Sequence, residues 1–120
     1  MLPNTLWLTK DLEDRFKMLK QKTGVSPNIM ARIAFFRSLE QGFECDLSIE
    51  CKLNGTLKLD RLTWLGATEL ATNIALKKCY PDVTDARSLH KIWAMHVESG
   101  ASIFHNIDSL PTLLDNLSTK

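Results

Sequence analysis

The chain begins with hydrophobic and polar positions in alternation. Over residues 4–10, NTLWLTK, Leu6 and Leu8 share one side, and the polar threonines share the other side with Trp7. A period of two residues places successive side chains on opposite faces of an extended segment. The pattern predicts a short N-terminal β-strand.

A helical period follows this strand. The hydrophobic residues of the next segment fall in one narrow stripe when wound at about 100° per residue, and they are Leu12, Phe16 and Leu19. The helix is predicted to begin at Thr9 or Asp11. Gly24 is a typical C-terminal cap and ends it.

A second helix is predicted to begin at Ser26 and to close at Gly42. Serine accepts from the first free amides of a helix, and Pro27 suits the first helical position because it has no amide to leave unpaired. Its interior is hydrophobic on almost every side, at Ile29, Met30, Ile33, Ala34, Phe35, Phe36 and Leu39. Such a helix must be covered on both sides. The cover is either a second copy of the chain or the C-terminal helices of the same chain.

A β-hairpin is predicted for residues 46–59, DLSIECKLNGTLKL. Hydrophobic residues alternate before and after Asn54-Gly55, at Leu47, Ile49, Cys51, Leu53, Leu57 and Leu59. Asn-Gly between two alternating runs favours a two-residue turn in which both residues have positive φ.

The remaining chain is predicted to be helical. Residues 67–80 place Leu70 and Ile74 at helical spacing, with the small Ala71 and Ala75. Residues 84–100 begin at a Thr84 cap and pack Leu89, Ile92, Trp93 and Val97. Short helical turns are predicted at 101–107 and 109–117. The predicted fold is mainly α with a minor β component, as a single domain over residues 1–120.

Composition fits a soluble globular protein, with 44% hydrophobic and 24% charged residues. No hydrophobic run approaches the roughly 20 residues that span a bilayer, and the N-terminus lacks the features of a signal peptide. We therefore expect a cytoplasmic protein without membrane contact. The cysteines, Cys45, Cys51 and Cys79, are odd in number and lack Cys-x-x-Cys spacing, which predicts buried, reduced thiols.

The net charge of +1 conceals an asymmetry between the two ends of the chain. Residues 1–38 carry a balance of +4, and residues 39–120 carry −3. The basic residues of the 1–38 segment are Lys10, Arg15, Lys17, Lys20, Lys22, Arg32 and Arg37. A basic end facing a polyanion and a simple solvated helix face are both compatible with this distribution.

The sequence offers no convergent catalytic chemistry. It contains no glycine-rich phosphate loop, no His-Glu-x-x-His helix and no Gly-x-Ser-x-Gly elbow. His90 and His96 point to different sides of one helix, so a metal site is not expected. A polar edge is the expected place of His90, and partial burial with hydrogen bonds is expected for His96 and His105. Acidic neighbours disfavour a thiolate at Cys45 and Cys51. We expect no enzyme activity, no metal and no cofactor.

The order of strand, amphipathic helix, glycine turn and Ser-capped helix resembles the ribbon-helix-helix DNA-binding motif. The outward strand positions Thr5, Trp7 and Thr9 carry no arginine, lysine, asparagine or glutamine. These are the side chains that contact base edges in the major groove, so sequence-specific recognition by the strand is not expected. Trp7 is expected either to be buried at an interface or to stack on an exposed base, and burial is favoured.

Contact with the phosphate backbone fits the charges better, because lysine and arginine neutralise phosphates without recognising sequence. Lys17 is less available to phosphate, because Glu13 and Asp14 lie four and three residues before it and can pair with it along the helix. The start of the second helix, at Ser26 and Asn28, is a further candidate phosphate-binding site, because the free amides of a helix N-terminus favour anions. The predicted DNA-binding residues are Lys10, Arg15, Lys17, Lys20, Lys22 and Asn28, and for each lysine simple solvation is the alternative.

Three segments resemble the DndE family of bacterial DNA phosphorothioation systems: MLPN, KTGVSPNIMARIAFFRSLEQG and HVESGASIF. The resemblance implies a non-catalytic component that binds duplex DNA through surface lysines and favours nicked duplex. It also implies a homotetramer. A desulfurase, a reductase-like sulfur-transfer subunit and an ATPase would be the other subunits of the complex and would supply the chemistry.

Oligomerisation is also favoured by the hydrophobic surface of the second helix, at Ile29, Met30, Ile33, Phe35 and Phe36. Two alternative functions remain open. One is a ribbon-helix-helix transcriptional regulator that binds a palindromic operator. The other is a scaffold that assembles a protein complex without touching DNA.

Overall fold

The structure is a computed structural model that describes residues 2–105, 107 and 109–118. Its described part is mainly helical with one small antiparallel sheet, as predicted. The sheet pairs β1, Thr5–Leu6, with β2, Leu59–Asp60. The α-helices are α1 (Lys10–Thr23), α2 (Pro27–Glu40), α3 (Arg61–Leu65), α4 (Glu69–Cys79), α5 (Ala86–Gly100) and α6 (Leu110–Ser118). Short 3-10 turns occupy Gly66–Thr68 and Ala101–Phe104.

The predicted signals at both ends of α1 are confirmed. The Thr9 hydroxyl accepts from Leu12 N at 3.3 Å, which satisfies one of the free amides of the first turn. Gly24 has φ of 77°, the left-handed conformation that glycine adopts without strain. The hydrophobic stripe of α1 is buried in the core, as predicted.

Helix α2 lies at the centre of the fold. It begins with Ser26 as N-cap and Pro27 as its first residue, as predicted, although the Ser26 hydroxyl makes no capping bond. It ends at Glu40, just before Gly42 with φ of 73°. Its main neighbour is α5, and α1, α3 and the 3-10 turn after α5 complete its surroundings. The helix is hydrophobic all round because its own chain covers it on several sides.

The contact between α2 and α5 is made at very short range. A Cβ atom added at Gly100 would lie 1.7 Å from the Ala34 carbonyl oxygen. Ala31, Ala34 and Ala101 are buried in the same core with exposures of at most 1%. Small side chains at this crossing allow the two backbones to approach each other.

The predicted β-hairpin is wrong. Residues 46–58, all of which the structure describes, contain no strand, and the positive-φ glycines do not include Gly55. The loop is instead bonded to the start of α1. Asn54 Oδ1 accepts from Lys10 N at 2.9 Å, and Gly55 N donates to Leu8 O at 2.9 Å. Gly55 is required for close approach, because a Cβ there would lie 2.7 Å from Leu8 O.

The N-terminal strand is shorter than predicted and pairs within its own chain, with Thr5 opposite Asp60. The backbone groups of Trp7, which follows the strand, also have a partner within the chain, because His90 Nε2 lies 3.1 Å from Trp7 N and 2.9 Å from Trp7 O. The order of elements matches the ribbon-helix-helix motif, whereas the strand pairing found here is intrachain.

The helix predicted over residues 67–80 is present as α4, in which Leu70 and Ile74 are 72% and 57% exposed and Thr72 and Leu76 are buried. One prediction for the C-terminal helices needs correction. The N-cap of α5 is Asp85 and not Thr84, with the Asp85 carboxylate accepting from Ser88 N at 2.9 Å. The predicted core residues of α5 are buried, and so is Trp64, whose ring centroid lies 5.6 Å from that of Trp93.

Candidate nucleic-acid interface

The longest stretch of the chain without an acidic residue runs from Arg15 to Leu39 and contains six basic side chains. Its first part is the C-terminal half of α1. The side chains of α1 that point away from the core are exposed, including Arg15, Lys17, Lys20 and Lys22. This helix therefore presents cations to solvent over two turns.

Lys10 and Lys17 are paired with carboxylates of the same helix. Lys10 Nζ lies 3.0 Å from Asp14 and 3.7 Å from Glu13, and Lys17 Nζ lies 3.2 Å from Glu13. The hydrogen bond from Lys10 to Asp14 raises the pKa of Lys10, so the lysine stays charged. The carboxylates neutralise much of the field of these two lysines, as the spacing predicted for Lys17.

Glu13 is the most deeply buried carboxylate of α1, with an exposure of 2%. Burial alone would raise its pKa, but hydrogen bonds from Leu57 N, from the Thr56 hydroxyl and from Lys17 outweigh this effect and hold the pKa at about 2. Glu13 is therefore ionised, and it connects α1 to the loop that precedes β2.

Arg15, Lys20 and Lys22 differ from these two lysines. Within the part of the chain that the structure describes, none of the three forms an ion pair. Arg15 and Lys22 line a shallow groove of about 240 Å³ between α1 and the segment after α5, which also includes the exposed His105. Their charges remain available to a ligand.

The Asn28 side chain makes a hydrogen bond within the protein. Its Nδ2 donates to Thr63 O at 3.1 Å. Arg32 acts in the same place, donating from Nε to Trp64 O and from Nη2 to Thr63 O, both at 2.8 Å. These side chains cap the carbonyl end of α3. Gly66 follows with φ of 52° against the guanidinium.

The predicted oligomer-interface residues are divided by the fold. Met30 and Phe35 are at most 1% exposed and belong to the core of this chain, so they are not surface residues of the protomer. Ile33 and Phe36 are partly buried against the core, and Ile29 is 43% exposed. Only these last three offer surface to a second chain.

A polar group formed by His96, Ser38 and the partly exposed Tyr80 joins α2 to α5. His96 has Ser38 Oγ at 2.7 Å from Nδ1 and Tyr80 Oη at 2.7 Å from Nε2. His96 and Ser38 are fully buried, and burial lowers the pKa of His96 to about 4, so the ring is neutral. Burial also raises the pKa of Tyr80. The group holds helices together.

The predicted places of His90 and the cysteines are partly wrong. His90 is buried, not at a polar edge, and burial lowers its pKa. Cys45 and Cys51 are partly buried free thiols whose pKa values are raised by burial, whereas Cys79 is exposed. The described residues contain no group of three or more His, Cys, Asp or Glu side chains suited to a metal ion.

Sequence patterns missed two surface features. One is the pair of exposed aliphatic side chains on α4, Leu70 and Ile74, together with Leu62 on α3, which is 64% exposed. The other is a cationic surrounding for Trp7, where Lys58 Nζ lies 5.4 Å from the ring centroid. No local signal indicates the second feature, because a distant loop supplies the lysine.

Comparison with known proteins gives one family. The family model for the DNA sulphur modification protein DndE matches residues 5–111. A crystal structure of DndE from Escherichia coli B7A, involved in DNA phosphorothioation modification, is 50% identical, with a TM-score of 0.79 over 83% of this chain and 96% of that chain. A DndE mutant with glycines replaced by lysine, involved in DNA phosphorothioation, is 47% identical, with a TM-score of 0.78 over 85% and 97%. Curated proteins give no significant match.

Among the described helices, none is long and hydrophobic enough to cross a membrane.

Proposed function

Since the chain belongs to the DndE family of DNA sulphur modification proteins, we propose that it is the non-catalytic, DNA-binding component of a phosphorothioation system. It holds duplex DNA by the phosphate backbone, and the other subunits of the system carry out the sulfur chemistry. Two observations support the absence of catalysis. The His96 ring and Ser38 are buried, and the partly buried thiols have raised pKa values.

One observation carries the DNA-binding proposal. The C-terminal half of α1 exposes Arg15, Lys20 and Lys22 without a carboxylate partner in the described chain. Phosphate neutralisation by such side chains supplies affinity that does not depend on base sequence. Lys10 and Lys17 contribute less because Glu13 and Asp14 already neutralise them.

A preference for nicked duplex belongs to the same proposal. Asn28 is bonded to α3 and is not free to recognise base edges, and the exposed Gln21 is the single amide side chain among the cations of α1. A site of this kind discriminates through the shape of the DNA. A nick makes the duplex easier to bend, so the backbone reaches separated cations at a smaller deformation cost.

Replacing Lys20 and Lys22 together with alanine is expected to weaken binding to a nicked duplex about tenfold at moderate salt, because two phosphate contacts are lost. The measurement is a fluorescence anisotropy titration with nicked and intact duplexes of one sequence. The matched control is Lys77→Ala with Lys78→Ala, which removes the same charge from exposed lysines in the last turn of α4.

The control variant should bind as the wild type does. Equal losses in both double variants would show that only net charge matters, and the interface on α1 would be wrong. Equal affinities of the wild type for the nicked and the intact duplex would contradict the nick preference alone.

We also propose that the chain forms a homo-oligomer, a tetramer in keeping with the family resemblance. The exposed aliphatic residues Leu62, Leu70 and Ile74 support this proposal, because side chains of this size at 57–72% exposure gain free energy when a second copy covers them. Leu70 and Ile74 lie four residues apart on α4 and therefore form one stripe.

Leu70→Glu with Ile74→Glu is expected to shift the solution mass, measured by light scattering, towards the 13.6 kDa of one chain. Charges on the stripe would have to be desolvated in an interface. Leu114→Glu, at a position 55% exposed on α6, is the control and should keep the wild-type mass. A wild type with the mass of one chain would refute the oligomer, and an unchanged mass of the double variant would refute this surface.

A further inference from the structure

A cleft of about 1010 Å³ lies on the side of the molecule where the N-terminal segment meets α5. It is bounded by the residues before α1, by the loop around Cys51 and by the first turns of α5. Its walls combine an aromatic ring with charged and polar groups: Trp7, Arg87, Lys91, Glu50, Asn4 and Ser88. Nothing derived above for α1 uses this cleft.

Trp7 is held in a fixed position at the cleft wall. His90 Nε2 lies within hydrogen-bond distance of both Trp7 N and Trp7 O, and the two rings meet edge to face with centroids 4.8 Å apart. Lys58 Nζ stands over the indole at 5.4 Å and is not part of the cleft wall. The indole is partly buried, and these contacts hold it in place before any ligand arrives.

The cleft wall carries two cations, Arg87 and Lys91. Arg87 is exposed. Lys91 Nζ donates to Leu47 O at 2.8 Å, which uses one of its three N–H groups and leaves two. Glu50 is the one acidic residue among the wall residues described, and two further carboxylates act on the cations from outside the wall, Asp85 on Arg87 and Asp46 on Lys91. Arg87 and Lys91 nevertheless place two cations on the wall beside an aromatic ring.

We infer that this cleft binds an unpaired segment of a DNA strand, with one base stacked on Trp7 and a neighbouring phosphate held by Arg87 and Lys91. Proteins that bind single strands combine aromatic stacking surfaces with a cationic path for the backbone in this way. The volume lies at the upper end of the roughly 300–1,000 Å³ typical of ligand sites, which suits one or two nucleotides.

The inference rests on the proposed DNA-binding function and deepens it. Trp7 precedes the first residue of α1 by three positions, so the cleft lies at the start of the helix whose other end carries Lys20 and Lys22. A duplex held along α1 presents unpaired nucleotides where a strand is interrupted and frays. The cleft would receive such nucleotides, whereas α1 would hold the intact backbone.

The test compares a short fluorescently labelled oligothymidylate with an intact duplex in anisotropy titrations. Trp7→Ala is expected to weaken oligothymidylate binding roughly tenfold or more, because one stacking surface is removed. Trp7→Phe retains a ring and should recover most of the affinity. Both variants should bind the intact duplex within about twofold of the wild type, a comparison that also reports on folding.

Arg87→Glu is a second variant that does not depend on the packing of Trp7. Its control, Lys78→Glu, makes the same charge change on α4, and only Arg87→Glu should weaken oligothymidylate binding strongly. Unchanged binding by Trp7→Ala or equal losses in the two charge variants would overturn the inference and leave the cleft to another class of partner, such as a protein segment.

The two proposals fail separately. Lys20→Ala with Lys22→Ala should reduce duplex binding and leave oligothymidylate binding nearly unchanged if the two sites are distinct. Loss of oligothymidylate binding in that variant to the same extent as in Trp7→Ala would show one shared site and contradict a separate cleft. Absence of duplex binding in the wild type, with oligothymidylate binding intact, would refute the function proposed for α1 alone.

Discussion

Gly100→Ala should destabilise the protein by about 3 kcal/mol, a large fraction of the roughly 5–15 kcal/mol by which a domain is stable. The added Cβ would lie 1.7 Å from the Ala34 carbonyl oxygen and 2.5 Å from its carbon. These atoms are backbone, so no side-chain rotation relieves the overlap, and α2 and α5 must separate. Chemical unfolding in urea measures the change.

The direction of this effect distinguishes close packing from helix propensity. An exposed glycine in a helix is improved by alanine by up to about 1 kcal/mol, and Gly100 has helical dihedral angles, with φ of −69°. Ser99→Ala, at the preceding position, is the control and should change stability by less than about 0.5 kcal/mol. A Gly100→Ala variant as stable as the wild type would show that the two helices are not in direct backbone contact.

Glu13→Gln is expected to destabilise the protein by about 3 kcal/mol at neutral pH. The carboxylate accepts from Leu57 N, from Thr56 and from Lys17, and its pKa falls from 4.5 to about 2 on folding, a difference in which each unit corresponds to about 1.4 kcal/mol. An amide of the same shape keeps one acceptor but faces the same donors with its NH₂ group. The loop 46–58 would then separate from the start of α1.

The pH dependence follows from the sign of this shift. Because folding lowers the pKa of Glu13, its stabilisation is complete above about pH 4.5 and is lost as the pH falls towards 2. The stability difference between wild type and Glu13→Gln, measured by urea unfolding, should therefore shrink over this range. His96 acts in a separate window, from its ordinary pKa of 6.5 down to about 4, where a falling pH destabilises the fold.

Asp14→Asn is the matched control for Glu13. It removes an exposed carboxylate that also pairs with Lys10, and exposed pairs of this kind contribute at most about 1 kcal/mol. A small effect is expected from Asp14→Asn and a large effect from Glu13→Gln. A difference between wild type and Glu13→Gln that stays constant from pH 4.5 to 2 would contradict the ionised, buried carboxylate.

Local signals predicted the first two helices well. Thr9, Gly24, Ser26 and Pro27 act through their own backbone geometry, so their neighbours in sequence suffice to place the ends of α1 and α2. The hydrophobic character of α2 correctly indicated that it is covered on several sides. Sequence could not decide between a second copy and the same chain as the cover, because that choice depends on where α5 returns.

Signals that depend on distant partners were misleading. Asn54-Gly55 is typical of a hairpin turn, but here Asn54 bonds the first amide of α1 and Gly55 fits against Leu8. Gly100 was expected as a helix end, which is correct, although its small size is required by Ala34 and not by a cap. The stripe of Leu70 and Ile74 has helical spacing but faces solvent, since α4 packs through Leu76.

The candidate interface was predicted in composition more than in detail. The five cations of α1 were identified from the sequence, and the spacing to Glu13 and Asp14 already set Lys17 apart. The structure adds Lys10 to the paired lysines and leaves Arg15, Lys20 and Lys22 without an ion pair in the described chain. The cationic surrounding of Trp7 arises from Lys58, Arg87 and Lys91, which are far from it in sequence. Such a site becomes visible only after the loop before β2 and the start of α5 are placed.

Backbone binding by α1 is tested by the salt dependence of wild-type binding to duplexes of unrelated sequence, compared with that of the double variant Lys20→Ala with Lys22→Ala. Each phosphate contact contributes about 0.9 to the slope of log K against log salt. Backbone binding by α1 should give similar affinities for all sequences and a wild-type slope that is steeper by roughly 1.8 per protomer bound than that of the variant. A strong sequence preference, or the same slope for both proteins, would contradict backbone binding by α1.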